Sequence, residues 1–413
     1  HLAPPGLGRL VAAHGRGLAA LRSRDRHCQP ALDVTALAAA DWVLTTYETL
    51  RDYDRDFGSI RFAALLFDEA QKIKTPAVRV TDAAKAMNAE FRIALTGTPV
   101  ENQLVDLWCI VDTVHPGCLG DLKSFTARFG RRADTKTLAR LRRSLDSGFG
   151  KRPPLLLRRL REDKLPELPR HEVRLHRTEM PPLQRQAYEQ TVQAARQDPR
   201  RGKVLETLLK LRATCLHPAP EEADDEAFIA ASARLRAAIE VLDKIAGRGE
   251  RALIFVDNLA MQARLSPLLQ RRYRLPSAPM IINGSVNSRG RQERVDHFQA
   301  GAGGFDVMIL SPRAGGVGLT LTAANHVIHL DRWWNPAVED QCNGRVLRIG
   351  QQRPVEIHVP MAVLPGGRRS FDDNLHNLLE RKRQLMREAL LPPEPTEDDL
   401  EKLLEEVTES VIE

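Results

Sequence analysis

Two adjacent carboxylates and two closely spaced guanidiniums are the residues best able to do chemistry together. Asp68 and Glu69 follow the apolar run Ala63-Ala64-Leu65-Leu66-Phe67, so a short strand would deliver both acids to its carboxyl end. There Asp68 can hold the waters of a magnesium ion, and Glu69 can orient a water for attack on a phosphate. Far along the chain, Pro336 sits where a helix would begin, and Glu339 to Arg348 reads as helical. On such a helix Gln341, Arg345 and Arg348 share one face. Two guanidiniums on one face can spread charge over the oxygens of a transferring phosphoryl group. Taken singly, each pattern also fits a solvated surface, because paired acids after a strand and basic helix faces are both common.

The elements that must position these groups follow from periodicity. Val307–Leu310 is an apolar run suited to a buried parallel strand, and Ser311 to Gly318 is the glycine-rich turn at its end. Ala252–Val256, Met280–Asn283, Val327–Leu330 and Val355–Val359 are further strands, separated by helical or loop stretches. That alternation predicts a parallel sheet with right-handed crossovers. In the front half, Asp41 to Leu50 reads as a buried strand carrying the hydroxyls of Thr45 and Thr46, and Arg92 to Leu95 as a strand leading into Thr96-Gly97-Thr98. Residues 128–174 hold fifteen Lys/Arg against six Asp/Glu and read as basic helices. Val204, Leu208 and Leu211 form one helical stripe, Leu235, Ala238, Leu242 and Ile245 another. Leu375–Leu390 reads as a final helix.

The totals set bounds. A chain of 413 residues with 42% hydrophobic and 28% charged content has room for at least two ordinary folded domains. No apolar run approaches the length of a membrane span, so no membrane partner is expected. Cys28, Cys109, Cys118, Cys215 and Cys342 form no C-x-x-C pair, which points to reduced thiols and an intracellular setting without a zinc site. His326 and His329 would face opposite sides of a strand, which discounts them as a metal pair. The net charge of +7 hides an asymmetry: residues 391–413 carry nine acids against Lys402, leaving +15 for residues 1–390. A basic body implies a polyanionic partner, and the acidic tail reads as solvated or as a competitor for the same surface.

Several uncommon words occur here in a set order: Asp68-Glu69-Ala70-Gln71, Thr96-Gly97-Thr98-Pro99, Ala314-Gly315-Gly316-Val317-Gly318-Leu319, Trp333-Trp334-Asn335-Pro336 and Arg348-Ile349-Gly350-Gln351. In that order they resemble the Swi/Snf-type branch of the superfamily-two helicases. The resemblance implies an α/β fold of two RecA-like parallel-sheet lobes with helical insertions. It lays out a first lobe over 1–127, a basic crossing segment over 128–180, a helical insertion over 181–248, a second lobe over 249–365, a brace helix over 366–390 and the tail. It also implies an ATP- and Mg²⁺-using motor that translocates on double-stranded DNA, with a protein cargo on that DNA as a further partner. Asp68, Glu69, Arg345 and Arg348 would be catalytic, with Asp68 holding Mg²⁺ through water. Gln71, Thr96, Gly97, Thr98, Gly316, Gly318 and Gln341 would bind or couple the nucleotide. Thr45, Thr46, Gly284, Ser285, Ser311, Arg313, Trp333, Trp334 and Asn335 would contact DNA.

Departures accompany the match. Gly344 stands where the family shows an acid and Leu347 where it shows His, and Val256-Asp257-Asn258 replaces an aromatic strand ending. No G-x-x-x-x-G-K-[ST] phosphate loop occurs in the sequence. In the family that loop lies upstream, so the chain is expected to be part of a longer protein, its first lobe truncated and inactive alone. Two other readings stay open: a DNA-binding scaffold that does not hydrolyse ATP, and the motor module of a helicase–nuclease defence protein.

Overall fold

The computed structural model describes residues 8–25, 28–97, 103–129, 135–147, 154–157, 168–197, 203–222, 224–301, 303–313, 318–389 and 395–410. The chain divides into two compact units, His1–Leu155 with Met386–Pro392, and Leu156–Leu385 with Pro393–Glu413.

The first unit contains β1 (Leu10–Ala13), β2 (Arg22–Arg24), β3 (Pro30–Leu32), β4 (Trp42–Thr45), β5 (Arg61–Phe67) and β6 (Asn88–Ala94). β1 pairs with β4 and β5 with β6, both in parallel, while β2 and β3 form an antiparallel ribbon. Phe57, Phe67, Ile73 and Met87 centre one apolar core. The stretch 41–50 departs from the buried strand expected of it. β4 is four residues long with Trp42 and Leu44 exposed, and the chain then turns into the helix Tyr47–Asp52. Thr46 explains the change, because its hydroxyl accepts from Thr49 N at 3.2 Å and caps that helix.

The second unit is built on one parallel six-stranded sheet. Its members are β7 (His171–Glu179), β8 (Arg251–Phe255), β9 (Met280–Ile282), β10 (Asp306–Leu310), β11 (His326–His329) and β12 (Val355–Val363), in the order β7-β12-β11-β8-β10-β9. Five strands match the apolar runs within a few residues. β7 begins within the last residues of the segment read as basic helices. It is an edge strand with mostly exposed side chains, so charge rather than an apolar run marks it. Period-two alternation divides the central strands between two cores. Ala252, Ile254, Val307, Ile309 and Ile328 face one side, against the helices Ala233–Gly247 and Leu259–Tyr273. Leu253, Phe255, Met308, Leu310 and Val327 face the other, against Ser288–Ala300.

A third core joins the helices Pro182–Gln197, Val204–Leu216 and Phe371–Ala389. The acidic tail belongs to it. Thr396 and Asp399 form a capping box that starts the helix Glu397–Glu409, and Leu403 and Val407 bury themselves in the core. Lys382 pairs with Asp399 at 2.5 Å. Net charge concealed an amphipathic stripe, so this helix is docked rather than solvated.

Buried polar groups tie the sheet to its helices. The fully buried Arg234 holds Asp372 with two nitrogens, and Arg212 grips Asp331 at 2.9 and 2.7 Å. Three imidazoles cross the strands β7, β12 and β11. His176 Nε2 meets His358 Nδ1 at 3.0 Å, His358 Nε2 meets His326 Nδ1 at 3.2 Å, and His326 Nε2 meets Glu250 at 2.8 Å. His326, His358 and Glu356 bring metal-ligand types within 4.8 Å of one another. The 5.5 Å between the His326 and His358 centroids leaves their nitrogens pointing head-on, which is hydrogen-bond geometry. Neutral rings each donating towards Glu250 satisfy all three contacts. His329 instead meets Asn343 at 2.8 Å, away from this row.

Two outcomes follow from these buried groups. Asp372→Ala removes both short bonds of the buried Arg234, leaving its 3.4 Å contacts to Asp331 and Leu330 O, and should lower unfolding free energy by about 3–5 kcal/mol, read from the denaturant midpoint. Replacing Arg234 and Asp372 together by Met and Leu should recover most of that loss. An unfolded histidine takes up its proton near pH 6.5 or so, whereas burial, then His326 and His176, push His358 down to about 3. The unfolded chain therefore binds more protons between those values. Stability is complete above the upper one and falls as pH drops towards the lower, by about 1.4 kcal/mol per unit for this residue. Thermal midpoints of His358→Phe from neutral to acid pH should decline less steeply than those of the parent chain.

Candidate functional site

In the first unit, strand register brings the candidate groups together. β5 and β6 pair Phe67 with Ala94, and Leu95 N donates to Phe67 O at 2.8 Å while Ala70 N donates to Leu95 O at 2.9 Å. The turn after β5 and the turn after β6 therefore lie side by side. Asp68 is exposed, and its Oδ1 accepts from Glu69 N at 3.0 Å. Glu69 sits in the left-handed region at φ 50°, ψ 50°. A residue with a Cβ adopts that conformation at a cost of about 1–3 kcal/mol, and such strain concentrates at functional turns. Gln71 Nε2 donates to Glu69 Oε2 at 2.6 Å, and Thr96 Oγ1 donates to Gln71 Oε1 at 2.7 Å. A carboxylate, a carboxamide and a hydroxyl thus form one line. Gly97 is exposed beside it, and Thr98 lies outside the described residues.

Tyr47 was not expected here. Its hydroxyl donates to Asp68 O at 2.8 Å, steadying the turn from the neighbouring helix. Burial, then the charges of Asp68 and Glu69, raise its phenol well above the ordinary range, so it stays a donor. Thr45 Oγ1 donates to Ala13 O at 3.1 Å, and Thr46 is the cap already described. Both hydroxyls serve the local fold. Asp68 suits an outer-sphere role towards magnesium, since it is an exposed hard oxygen ligand at a strand's carboxyl end and Mg²⁺ keeps most of its waters.

In the second unit, the helix carrying Gln341 ends sooner than expected. It runs Pro336–Asn343, and Gly344 forms its C-cap. Glycine's cost in a helix interior accounts for the stop. Arg345 and Arg348 consequently leave from a turn and not from one helix face. Arg345 N donates to Cys342 O, Leu347 N to Asn343 O, and Arg348 N to Val346 O. Val346 and Leu347 anchor that turn in the core. Arg345 is buried, while Arg348 Nη1 reaches Gly318 O at 3.2 Å, Leu319 O at 3.1 Å and Thr320 Oγ1 at 2.8 Å. Gly318 has φ 64°, a conformation that calls for glycine. Arg348 therefore fastens the return of the glycine-rich turn. Gly316 lies outside the described residues.

The candidate DNA residues divide by exposure. Gly284 and Ser285 are exposed after β9, and Arg313 is exposed after β10. Ser311 is buried, its hydroxyl accepting from Gln262 Nε2 at 2.8 Å. Trp333 lies between the guanidiniums of Arg313 and Arg212, 4.7 and 5.3 Å from its ring centre. Trp334 meets Phe371 edge-on at 5.8 Å and packs on the third core. Asn335 is buried, and its Oδ1 accepts from Ala337 N at 2.8 Å to cap the 336–343 helix. Trp334 and Asn335 are thus engaged in packing and capping. Arg332 holds Glu339 at 3.0 and 2.8 Å; burial alone would raise that carboxyl, and the Arg332 charge outweighs it, keeping it well below the usual range.

Sequence reasoning missed Gln262, Arg212 and Tyr47. Each touches a candidate group through a bond that local pattern does not encode, although a lone amide on the apolar face of the 259–273 helix was a signal.

Comparison with known proteins places the chain in a family. The SNF2-related domain matches residues 15–220 and the helicase conserved C-terminal domain matches residues 234–350, which together take in most of the chain. The Zorya protein ZorD of Escherichia coli O139:H28 is 35% identical over 386 residues, covering 88% of this chain and 34% of that protein. The putative ATP-dependent helicase/translocase YwqA of Bacillus subtilis is 34% identical over 367 residues, covering 84% and 37%. The Sulfolobus solfataricus SWI2/SNF2 ATPase core in complex with dsDNA aligns over 92% of this chain and 76% of its own at 28% identity, with a TM-score of 0.45. The chain spans about a third of the length of the curated relatives it matches. On its two matched domains and their order, the chain belongs to the Swi/Snf-type family of superfamily-two helicase-like ATPases.

Proposed function

We propose that this chain serves an ATP-driven motor that moves along double-stranded DNA by its phosphate backbone. The observation that carries the reading is the line from Glu69 through Gln71 to Thr96. A carboxylate held by a carboxamide in a strained turn is fixed in direction, as a group that aims a water at phosphorus must be. Asp68 would hold magnesium through its waters, and the ion, when bound, would supply neutralising charge on the phosphates. Arg345 and Arg348 would stabilise charge on the transferring group. Asp68 and Glu69 belong to one unit and the two arginines to the other.

The DNA reading is supported by the exposed Gly284, Ser285 and Arg313 at loops after β9 and β10, and by the basic excess of residues 1–390. Contacts to phosphate fix position without reading bases, which suits a translocating protein. That the chain spans 34% of ZorD favours one refinement: the motor is a module of a longer protein.

Two measurements test this in the full-length parent protein. Glu69→Gln should lower ATP hydrolysis in the presence of duplex DNA by about 10²–10⁴-fold, while DNA affinity stays unchanged. Parent-level turnover in that variant would remove Glu69 from the mechanism. Duplex affinity should also fall with salt, log K dropping by about 0.9 per phosphate contacted for each log unit. A flat response would replace DNA by another partner.

A further inference from the structure

The carboxyl edge of the second unit's sheet holds a set of bonds that the proposed function does not use. Gln262 is 1% exposed, one turn into the helix Leu259–Tyr273 that Asn258 caps. Its Nε2 donates to Val256 O at 2.7 Å and to Ser311 Oγ at 2.8 Å. Its Oε1 accepts from Asn283 Nδ2 at 2.9 Å. Asn283 Oδ1 in turn accepts from Ser285 N at 3.1 Å and from Ser285 Oγ at 2.6 Å. One carboxamide thereby ties together the chain just after β8, β9 and β10.

The bonding admits a single orientation. Both amide hydrogens of Gln262 are spent on oxygen acceptors, so a flipped amide would set its carbonyl against Val256 O. With Gln262 fixed, Asn283 must present Nδ2 inwards and Oδ1 to Ser285. The rest of the inner helix face is mostly apolar: Met261, Leu265, Leu268 and Leu269 are buried, and the buried Ser266 donates to Pro279 O at 2.8 Å. A buried carboxamide there brings no packing advantage over Met and is tolerated because every bond is made. What it adds is direction. It sets the Gly284–Ser285 turn and Ser311 in one frame, while Gly284 and Ser285 remain exposed.

We propose that Gln262 is a positioning residue for backbone phosphate, acting through Asn283 on the Gly284–Ser285 turn; this rests on the DNA-translocase reading. Asn283 keeps the Ser285 N–H and so holds the turn, leaving the hydroxyl proton able to swing from Asn283 to a phosphate oxygen. Ser285 is the contacting residue, and Gln262 never touches the ligand.

Fluorescence anisotropy of a duplex oligonucleotide with the full-length protein tests this. Ser285→Ala and Gln262→Met should each weaken binding by about five-fold, the worth of one net hydrogen bond. Since both act on one contact, the double variant should bind no worse than either single one. Asn283→Ala, at a half-buried position, cuts the same link while leaving both donor bonds of Gln262, to Val256 O and Ser311 Oγ, in place, and should match Ser285→Ala; it decides the matter should Gln262→Met fail to fold. Gln184→Met is the control: that equally buried amide bonds Thr214 O, Cys215 O and Ala233 N, and its loss should leave DNA affinity intact. Parent-level affinity in Gln262→Met or Asn283→Ala overturns the inference, as does a double variant near twenty-five-fold weaker, the product of two independent losses. If the parent protein itself fails to bind duplex DNA, the translocase reading fails first and the inference with it.

Discussion

A parallel strand covered on both faces can show polar chemistry to its surroundings only where it ends. β8, β10 and β11 divide every inner side chain between two apolar cores, so no functional group can leave from their middles. Parallel pairing then makes the ends coincide: Phe255 pairs with both Leu310 and His329, and Leu310 also with Ile282. The loops carrying Ser285, Ser311, Arg313 and Trp333 consequently share one edge, as open α/β sheets require of their ligand sites. The same logic operates in the first unit on a smaller scale, where β5 and β6 end level and lay Glu69, Gln71 and Thr96 against one another.

Loops set on one edge still have to be held still, and buried charge does this where apolar packing cannot. Asp331 follows β11 and is gripped by Arg212 from one helix, while Arg234 from the next reaches Asp372 at the start of the 371–389 helix. Arg332 and Arg383 converge on Glu339 at 2.8 and 2.9 Å, fixing the 336–343 helix from two sides. Ion pairs of this kind contribute little net stability against an apolar substitute, because desolvation offsets most of their attraction. Their geometry is nevertheless exacting, and breaking one partner is costly. They fit a segment whose direction matters more than its strength, here the turn that carries Arg345 and Arg348.

Legibility in the sequence followed the same physics. β8, β10, β11 and β12 were readable as apolar runs because burial on two faces demands them, and Asp68–Glu69 because they end such a run. β7 was not, since an edge strand wears charge on its open side and His171-Glu172-Val173-Arg174 carries no run. The end of the 336–343 helix turned on Gly344, a departure from the family pattern that forms the helix's C-cap. The tail helix was obscured by the tail's nine acids, although Leu403 and Val407 are four apart and both buried. Thr46, Trp334 and Asn335 carry contacts that a motif does not spell out, for each matches the family pattern and also spends its side chain on a cap or a core contact. Gln262 left one local signal, an amide on a largely apolar helix face, but its partners lie just after three separate strands and no local pattern names them.

The first unit poses a remaining physical question. Parallel strands are ordinarily covered on both faces, and two-stranded sheets are marginal in water. Yet Leu66 is 56% exposed on β5 and Phe91 61% exposed on β6. An apolar face of that kind is stable only with cover, and the pairing it belongs to is the pairing that aligns Glu69 with Gln71 and Thr96. The rigidity of the carboxylate is therefore coupled to whatever shelters Leu66 and Phe91. The strained Glu69 backbone sharpens the dependence: a left-handed residue persists where its surroundings over-determine it, and loosening β5 against β6 would let it relax. Sheet cover and the aim of the carboxylate are then one property of this unit, not two.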